Sequence, residues 1–169
     1  MARKGSSAAR QPEEQALVIT RVFDAPRETV FRAWTEPERM KRWWGPKNFT
    51  TPVIRIDPRP GGAYLYCMRS PEGKDYWGKG TYLEVEEPER IVCTDSFADE
   101  NGNPVSPQDY GMSPDWPEEA VIAVTFDRSG GRTRFTLNHS PLPPGPERDM
   151  CRQGWNESLD RLEEYLAKG

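Results

Sequence analysis

The sequence predicts an α+β domain, a curved antiparallel sheet of about seven strands wrapped around one long C-terminal helix. Three observations carry the prediction. Six strand-like segments succeed one another between residues 49 and 139, and the short Gly/Pro turns that join most of them imply antiparallel neighbours. A further strand-like segment, 17–23, stands ahead of them and is followed by two short helical segments. The stretch 147–167 is amphipathic at spacings of 3 and 4, and it alone is large enough to cover an apolar sheet face.

Residues 1–15 read as a disordered tail, and one domain spans 16–169. Leu17, Ile19, Arg21 and Phe23 alternate with Val18, Thr20 and Val22, giving a strand with two usable faces. Asp24-Ala25-Pro26 opens a helix whose apolar stripe is Val30, Phe31 and Trp34. Thr35 and Glu38 have the spacing of a capping box, which predicts a second helix running to about Trp43 and stopping at Gly45-Pro46.

Strands are expected over 49–57, 63–69, 76–86, 91–97, 120–128 and 133–139. Gly78 and Gly80 suggest a bulge or bend in the third of these, and Ser129-Gly130-Gly131 a tight hairpin. Pro60-Gly61-Gly62 reads as a turn, because it lacks the Lys and Ser/Thr of a phosphate loop and precedes a strand. In the last helix Cys151, Trp155, Leu159, Leu162 and Leu166 form the stripe, with the small Gly154 and Ser158 beside it. One helix cannot fill the concave side of a twisted sheet, so this architecture tends to leave a cavity.

Composition narrows the function classes. The chain has 169 residues, 35% apolar and 30% charged, with 6 Trp, 6 Tyr and 6 Phe. The apolar share is lean, but the aromatics supply enough surface to bury a core. Residues 99–119 form an acidic insert with six carboxylates and no Lys or Arg, a charge of -6; taken from -4 overall, that leaves +2 elsewhere. Tyr110, Met112 and Trp116 in this insert either pack it back over the sheet or ride on a mobile loop. No apolar run is long enough for a membrane span, and no Lys/Arg cluster points to nucleic acid. Cys67, Cys93 and Cys151 form no CxxC and read as reduced thiols of a cytoplasmic protein. One histidine and scattered cysteines predict no metal site, and no cofactor motif is present.

The chain resembles the START-like, or SRPBCC, superfamily with its helix-grip fold (the Bet v-like architecture). Within it the chain is most similar to proteins homologous to the C-terminal domain of the activator of heat-shock protein 90 ATPase. The resemblance lies in Arg21-Val22-Phe23-Asp24-Ala25-Pro26, Val30-Phe31-Arg32-Ala33-Trp34 and Trp43-Trp44-Gly45-Pro46. It continues through Pro60-Gly61-Gly62, Gly80-Thr81-Tyr82-Leu83-Glu84-Val85, Pro88-Glu89-Arg90-Ile91 and Thr133-Arg134-Phe135-Thr136-Leu137. It closes with Gly154-Trp155-Asn156-Glu157-Ser158-Leu159, so that it covers roughly 17–167. The resemblance implies a deep apolar cavity between sheet and helix. It implies a lipid, polyketide or aromatic ligand, with chaperone regulation as the alternative and a cyclase or hydrolase as a third reading.

The cavity candidates are Tyr64, Tyr66, Met68, Trp77, Phe97, His139, Cys151 and Trp155, with Tyr66, Met68 and Trp155 preferred. His139 ends the last strand, and Asp95 on a neighbouring strand is its possible partner. Tyr hydroxyls, His139 and Arg152 are the groups expected to orient a ligand, and no residue is assigned a catalytic role. Trp43-Trp44 either plugs the open end of the sheet or lines the entrance. The expected function is that of a small soluble protein holding an apolar or amphipathic molecule in a cavity of roughly 300–1,000 Å³.

Overall fold

The computed structural model describes residues 15–168; the expected tail, Gln15 apart, lies outside the described residues. Seven strands form one antiparallel sheet in the order β1-β7-β6-β5-β4-β3-β2. They are β1 (Leu17–Phe23), β2 (Thr50–Ile56), β3 (Ala63–Arg69), β4 (Asp75–Glu86), β5 (Arg90–Ala98), β6 (Ala120–Ser129) and β7 (Arg132–Ser140). β2 to β7 follow one another across the sheet, and β1 pairs with β7, Leu17 opposite His139 and Phe23 opposite Thr133. Between β1 and β2 lie α1 (Arg27–Thr35) and α2 (Pro37–Met40), and α3 (Pro146–Ala167) ends the fold. The sheet curls into a half-barrel around α3.

The expected capping box does not form. Thr35 is the last residue of α1, and its hydroxyl donates to Phe31 O at 3.1 Å. A Thr held in helical backbone inside α1 cannot also take the extended backbone of an N-cap, and its hydroxyl is turned back onto its own helix. Glu36 takes the cap position of α2 without a side-chain bond. α2 is also shorter than expected: after Met40 the chain tightens into turns, with Arg42 N–H on Arg39 O and Trp43 N–H on Met40 O.

The core is aromatic. Trp34 on α1 lies 4.9 Å from Trp43 and 5.6 Å from Phe135, ring centre to ring centre, and meets Trp44, Phe126 and Trp155 between 5.9 and 6.3 Å. One side chain therefore joins the short helices, the sheet and α3. Burial of large flat groups offsets the low apolar fraction.

Gly78 and Gly80 serve a different purpose from the expected bulge. The register of β3 against β4 runs without a break past both, and the shift in β4 lies against β5 between Tyr82 and Glu84. The glycines instead make room for tyrosines of β3. Tyr66 pairs with Gly78 and Tyr64 with Gly80, and each ring lies over its glycine. A Cβ on Gly80 would collide with Thr94 O as well as with the Tyr64 ring. Backbone cannot move aside as a flexible side chain can. Gly80→Ala is expected to destabilise the fold by about 1–3 kcal/mol, measured by urea unfolding. A cost under about 0.5 kcal/mol, the range of an ordinary surface change, would contradict this packing.

Candidate functional site

Between the concave face of the sheet and α3 lies a cavity of about 270 Å³. Strand parity selects its sheet wall. Tyr66 and Met68 alternate inward on β3, and Asp95 and Phe97 on β5. Ile122 of β6 and His139 of β7 continue the wall, since Ile122 pairs with His139. From α3 come Met150, Cys151, Gly154, Trp155 and Ser158.

Two anchored segments complete the cavity. Trp44-Gly45-Pro46 is tied to α3: Arg161 Nη1 donates to Gly45 O at 2.9 Å and Pro46 O at 3.1 Å, and Gly45 N–H donates to Ser158 Oγ at 2.9 Å. Gly45 has φ +108°, a conformation that a Cβ would strain. The acidic insert packs back over the sheet. Tyr110 stacks on Phe97 at 5.1 Å and donates to Ala98 O at 2.7 Å. Ser113 N–H and Oγ–H both donate to the Glu147 carboxylate at 2.7 Å, which ties the insert to the start of α3. Trp116 is thereby buried in the cavity wall beside Pro117 and Glu118.

Of the eight candidates, Tyr66, Met68, Phe97, His139, Cys151 and Trp155 come together around this cavity. Trp77 does not. It neighbours Gly78, which faces Tyr66, so alternation puts Trp77 on the other face of the sheet opposite Cys67. Tyr64 is on the inner face but lines a separate void of about 30 Å³ with Trp34, Trp44 and Tyr82. Arg152 is also removed from the ligand-orienting set, because it donates to Val18 O at 3.1 Å and ties α3 to β1. The tryptophan pair divides its two readings. Trp43 is fully buried with its N–H on Ala33 O at 3.0 Å, whereas Trp44 lines both cavities and its buried N–H has no partner among the described residues.

A polar row crosses one wall. His139, only 5% exposed, places Nε2 3.2 Å from Asp95 Oδ2, although its N–H is not directed well enough for a hydrogen bond. Asp95 Oδ1 lies 3.3 Å from the Tyr64 hydroxyl, which donates chiefly to Thr94 O at 2.5 Å. On the far side of the imidazole, Trp155 Nε1–H donates to Nδ1 at 3.1 Å, and Cys151 Sγ is 4.0 Å from the same nitrogen. An indole nitrogen only donates, so Nδ1 presents its lone pair and the proton of the neutral ring lies on Nε2, facing Asp95.

Burial opposes charge on His139, but Asp95, and then Cys151, outweigh it and raise its pKa from 6.5 to about 9. Burial, with Asp95 adding to it, pushes the Tyr66 and Tyr64 hydroxyls well above the ordinary phenol value, so both remain protonated donors. Among the described residues no cluster of three or more His, Cys, Asp or Glu could hold a metal. No helix among them is long and apolar enough to cross a membrane.

Asp95 had a legible signal: a carboxylate on the inward parity between Cys93 and Phe97. Trp116 had a weaker one, an aromatic in an acidic segment. Leu142 and Ala120 had none, since apolar residues at strand ends are ordinary.

A curled antiparallel sheet gripping one helix over an apolar cavity defines the START-like class of domain. Residues 24–167 match the model of the family described as Activator of Hsp90 ATPase homolog 1-like protein, and the chain belongs to that family. Solved structures agree over nearly the whole chain. A protein of Nitrosomonas europaea is 28% identical, with 92% of this chain and 96% of that one covered at a TM-score of 0.74. A protein of Mycobacterium smegmatis is 27% identical, with 91% and 89% covered at 0.73. One of Chromobacterium violaceum is 26% identical, with 89% and 95% covered at 0.74. No curated protein matches significantly.

Proposed function

We propose that this protein binds a small amphipathic molecule with an aromatic body and a hydrogen-bonding end in the cavity beneath α3. The observation that carries the reading is the composition of the wall: aromatic and aliphatic side chains, with the Asp95–His139 row at one place. The volume of about 270 Å³ falls just below the expected range of roughly 300–1,000 Å³, so it suits one or two rings better than a long lipid. Apolar burial at about 25 cal/mol per Å² supplies affinity, and the polar groups supply orientation. Three free thiols fit a reducing, cytoplasmic setting.

The test uses 1-anilinonaphthalene-8-sulfonate with the whole protein, alongside native mass spectrometry of protein purified from cell extract. Saturable fluorescence enhancement and a co-purified small mass are expected. Gly154 supplies the discriminating variant. Its place on α3 accepts a Cβ, whose nearest neighbour would be Pro46 Cγ at 3.7 Å, while a larger side chain there competes for the cavity. Gly154→Leu should fold, gain about 0.5–1 kcal/mol from leaving glycine in mid-helix, and lose dye binding. Absence of any ligand mass, together with no thermal shift across a lipid and aromatic library, overturns the reading.

The family supports a second reading, regulation of a chaperone ATPase. ATPase assays of the host's heat-shock protein 90 with and without this protein test it. An unchanged rate removes it.

A further inference from the structure

The three cysteines differ in kind. Cys67 is buried on the far face of the sheet at 1% exposure, and burial, with Asp75 beside it, raises its pKa. Cys93 is buried at 9% exposure, and burial, with Asp95 near it, pushes its thiol up to about 12. Both are held as thiols and are poor nucleophiles. Cys151 is half-buried and lines the cavity itself. Beside it stands an imidazole whose neutral form presents a lone pair at Nδ1, with a carboxylate at its other nitrogen; its charged form, which Asp95 and Cys151 favour, is the partner of a Cys151 thiolate. Thiol, imidazole and carboxylate in one row is the arrangement that activates a sulfur nucleophile, whatever the fold. The row opens on the cavity, which Asp95, His139 and Cys151 all line.

The geometry points to Cys151 as a nucleophile that captures α,β-unsaturated carbonyl ligands within the cavity, with His139 as its base and Asp95 as the positioning residue. This rests on the ligand-binding reading above. The Cys151 S–H proton passes to His139 Nδ1, and the thiolate adds to the β-carbon of the ligand. A C–S bond forms, the π pair of the C=C bond moves through the α-carbon to the carbonyl oxygen, and the imidazolium returns the proton to the α-carbon. The net change is addition of S–H across the double bond, with nothing leaving and no oxidant consumed. The 4.0 Å separation of Sγ and Nδ1 is long for proton transfer, and such contacts commonly tighten only once substrate is bound. Trp155 has the opposite influence: its N–H competes for the lone pair that the thiol proton needs, so it tempers the reactivity without abolishing it.

N-ethylmaleimide, an α,β-unsaturated imide, is the probe. The whole protein is reacted near pH 7, followed by intact mass and peptide mapping, with glutathione as the free-thiol reference. One adduct, on Cys151, is expected to form at least about tenfold faster than on glutathione, and to remain fast below the pH at which a free thiol ionises. Asp95→Asn and His139→Gln should each slow it about 10–100-fold and restore the pH profile of a free thiol, and Trp155→Phe should speed it. Circular dichroism checks each fold; if His139→Gln does not fold, Asp95→Asn decides. A rate equal to that of glutathione, first labelling of Cys67 or Cys93, or a folded Asp95→Asn with an unchanged rate and profile overturns the proposal. Dye binding without thiol activation sinks the nucleophile and leaves the cavity reading intact, whereas fast selective labelling without any dye or ligand binding sinks the cavity reading alone.

Discussion

Replacing Trp34 with alanine is expected to lower the unfolding free energy by about 3–5 kcal/mol, the range for removing a large buried aromatic. For a chain of this length that corresponds to a fall of roughly 6–20 °C in Tm. Trp34 meets rings on every side of the core: Trp43 and Trp44 after α2, Phe126 and Phe135 on the sheet, and Trp155 on α3. Its removal opens a hole that the void of about 30 Å³ already beside it would enlarge. Trp34→Phe separates packing from polarity. It keeps a ring and deletes an N–H that is buried without a partner among the described residues, so it should cost much less. Urea unfolding of both variants checks this. Equal losses for Phe and Ala, or an alanine cost below about 1.5 kcal/mol, would show that the cluster is not the keystone of the core.

The second expected result is a fall in stability with rising pH. His139 is the only histidine, and its ordinary pKa of 6.5 is raised to about 9: burial works against the charge, and Asp95 and Cys151 more than offset it. Tyr66 and Glu118 line the same cavity. A folded pKa above the unfolded value means that the native state holds the proton more tightly. The stabilisation is then complete below about pH 6.5 and is lost as pH rises towards 9, amounting to roughly 3 kcal/mol over that range. Unfolding measured from pH 6 to 8.5 keeps most of the window while tyrosines remain protonated, and His139→Gln should flatten the slope. The ring resonances of a single histidine can also be followed directly by NMR. Titration at or below 6.5 would mean that the Trp155 N–H, which needs an unprotonated Nδ1, dominates over Asp95.

The two results bear on one another. Trp155 touches both Trp34 and His139, so the aromatic core and the polar row share a side chain. Loosening the core at Trp34 should therefore disturb the imidazole, and the histidine resonances of Trp34→Phe would report that coupling.

Much of the architecture was legible because it is written in local chemistry. Period-two alternation and Gly/Pro punctuation mark the strands to within a residue or two, and the 3–4 spacing from Cys151 to Leu166 marks the long helix and the face it buries. The errors have local causes too. Thr35 carries the signature of a cap, but α1 continues through it, so its backbone is helical and its hydroxyl points back to Phe31 O. Gly78 and Gly80 do mark a special place in β4, yet the reason is two tyrosine rings from β3, a requirement that no inspection of β4 alone could reveal.

Sequence alone determined the fold class, the family, the aromatic character of the core, and a set of side chains from which a cavity could be built. It could not choose among them, because alternation says that residues 64, 66 and 68 share a face without saying which face is concave. That choice, which admits Tyr66 and excludes Trp77, depends on how the sheet curls and where α3 lies. The sequence offered Asp95 as a partner of His139 but on a neighbouring strand, whereas β6 lies between β5 and β7, and it did not join Cys151 of α3 to them; the three meet only through the strand order and the seating of a helix. Secondary structure arises from neighbours in the chain, whereas a site of this kind arises from neighbours in space.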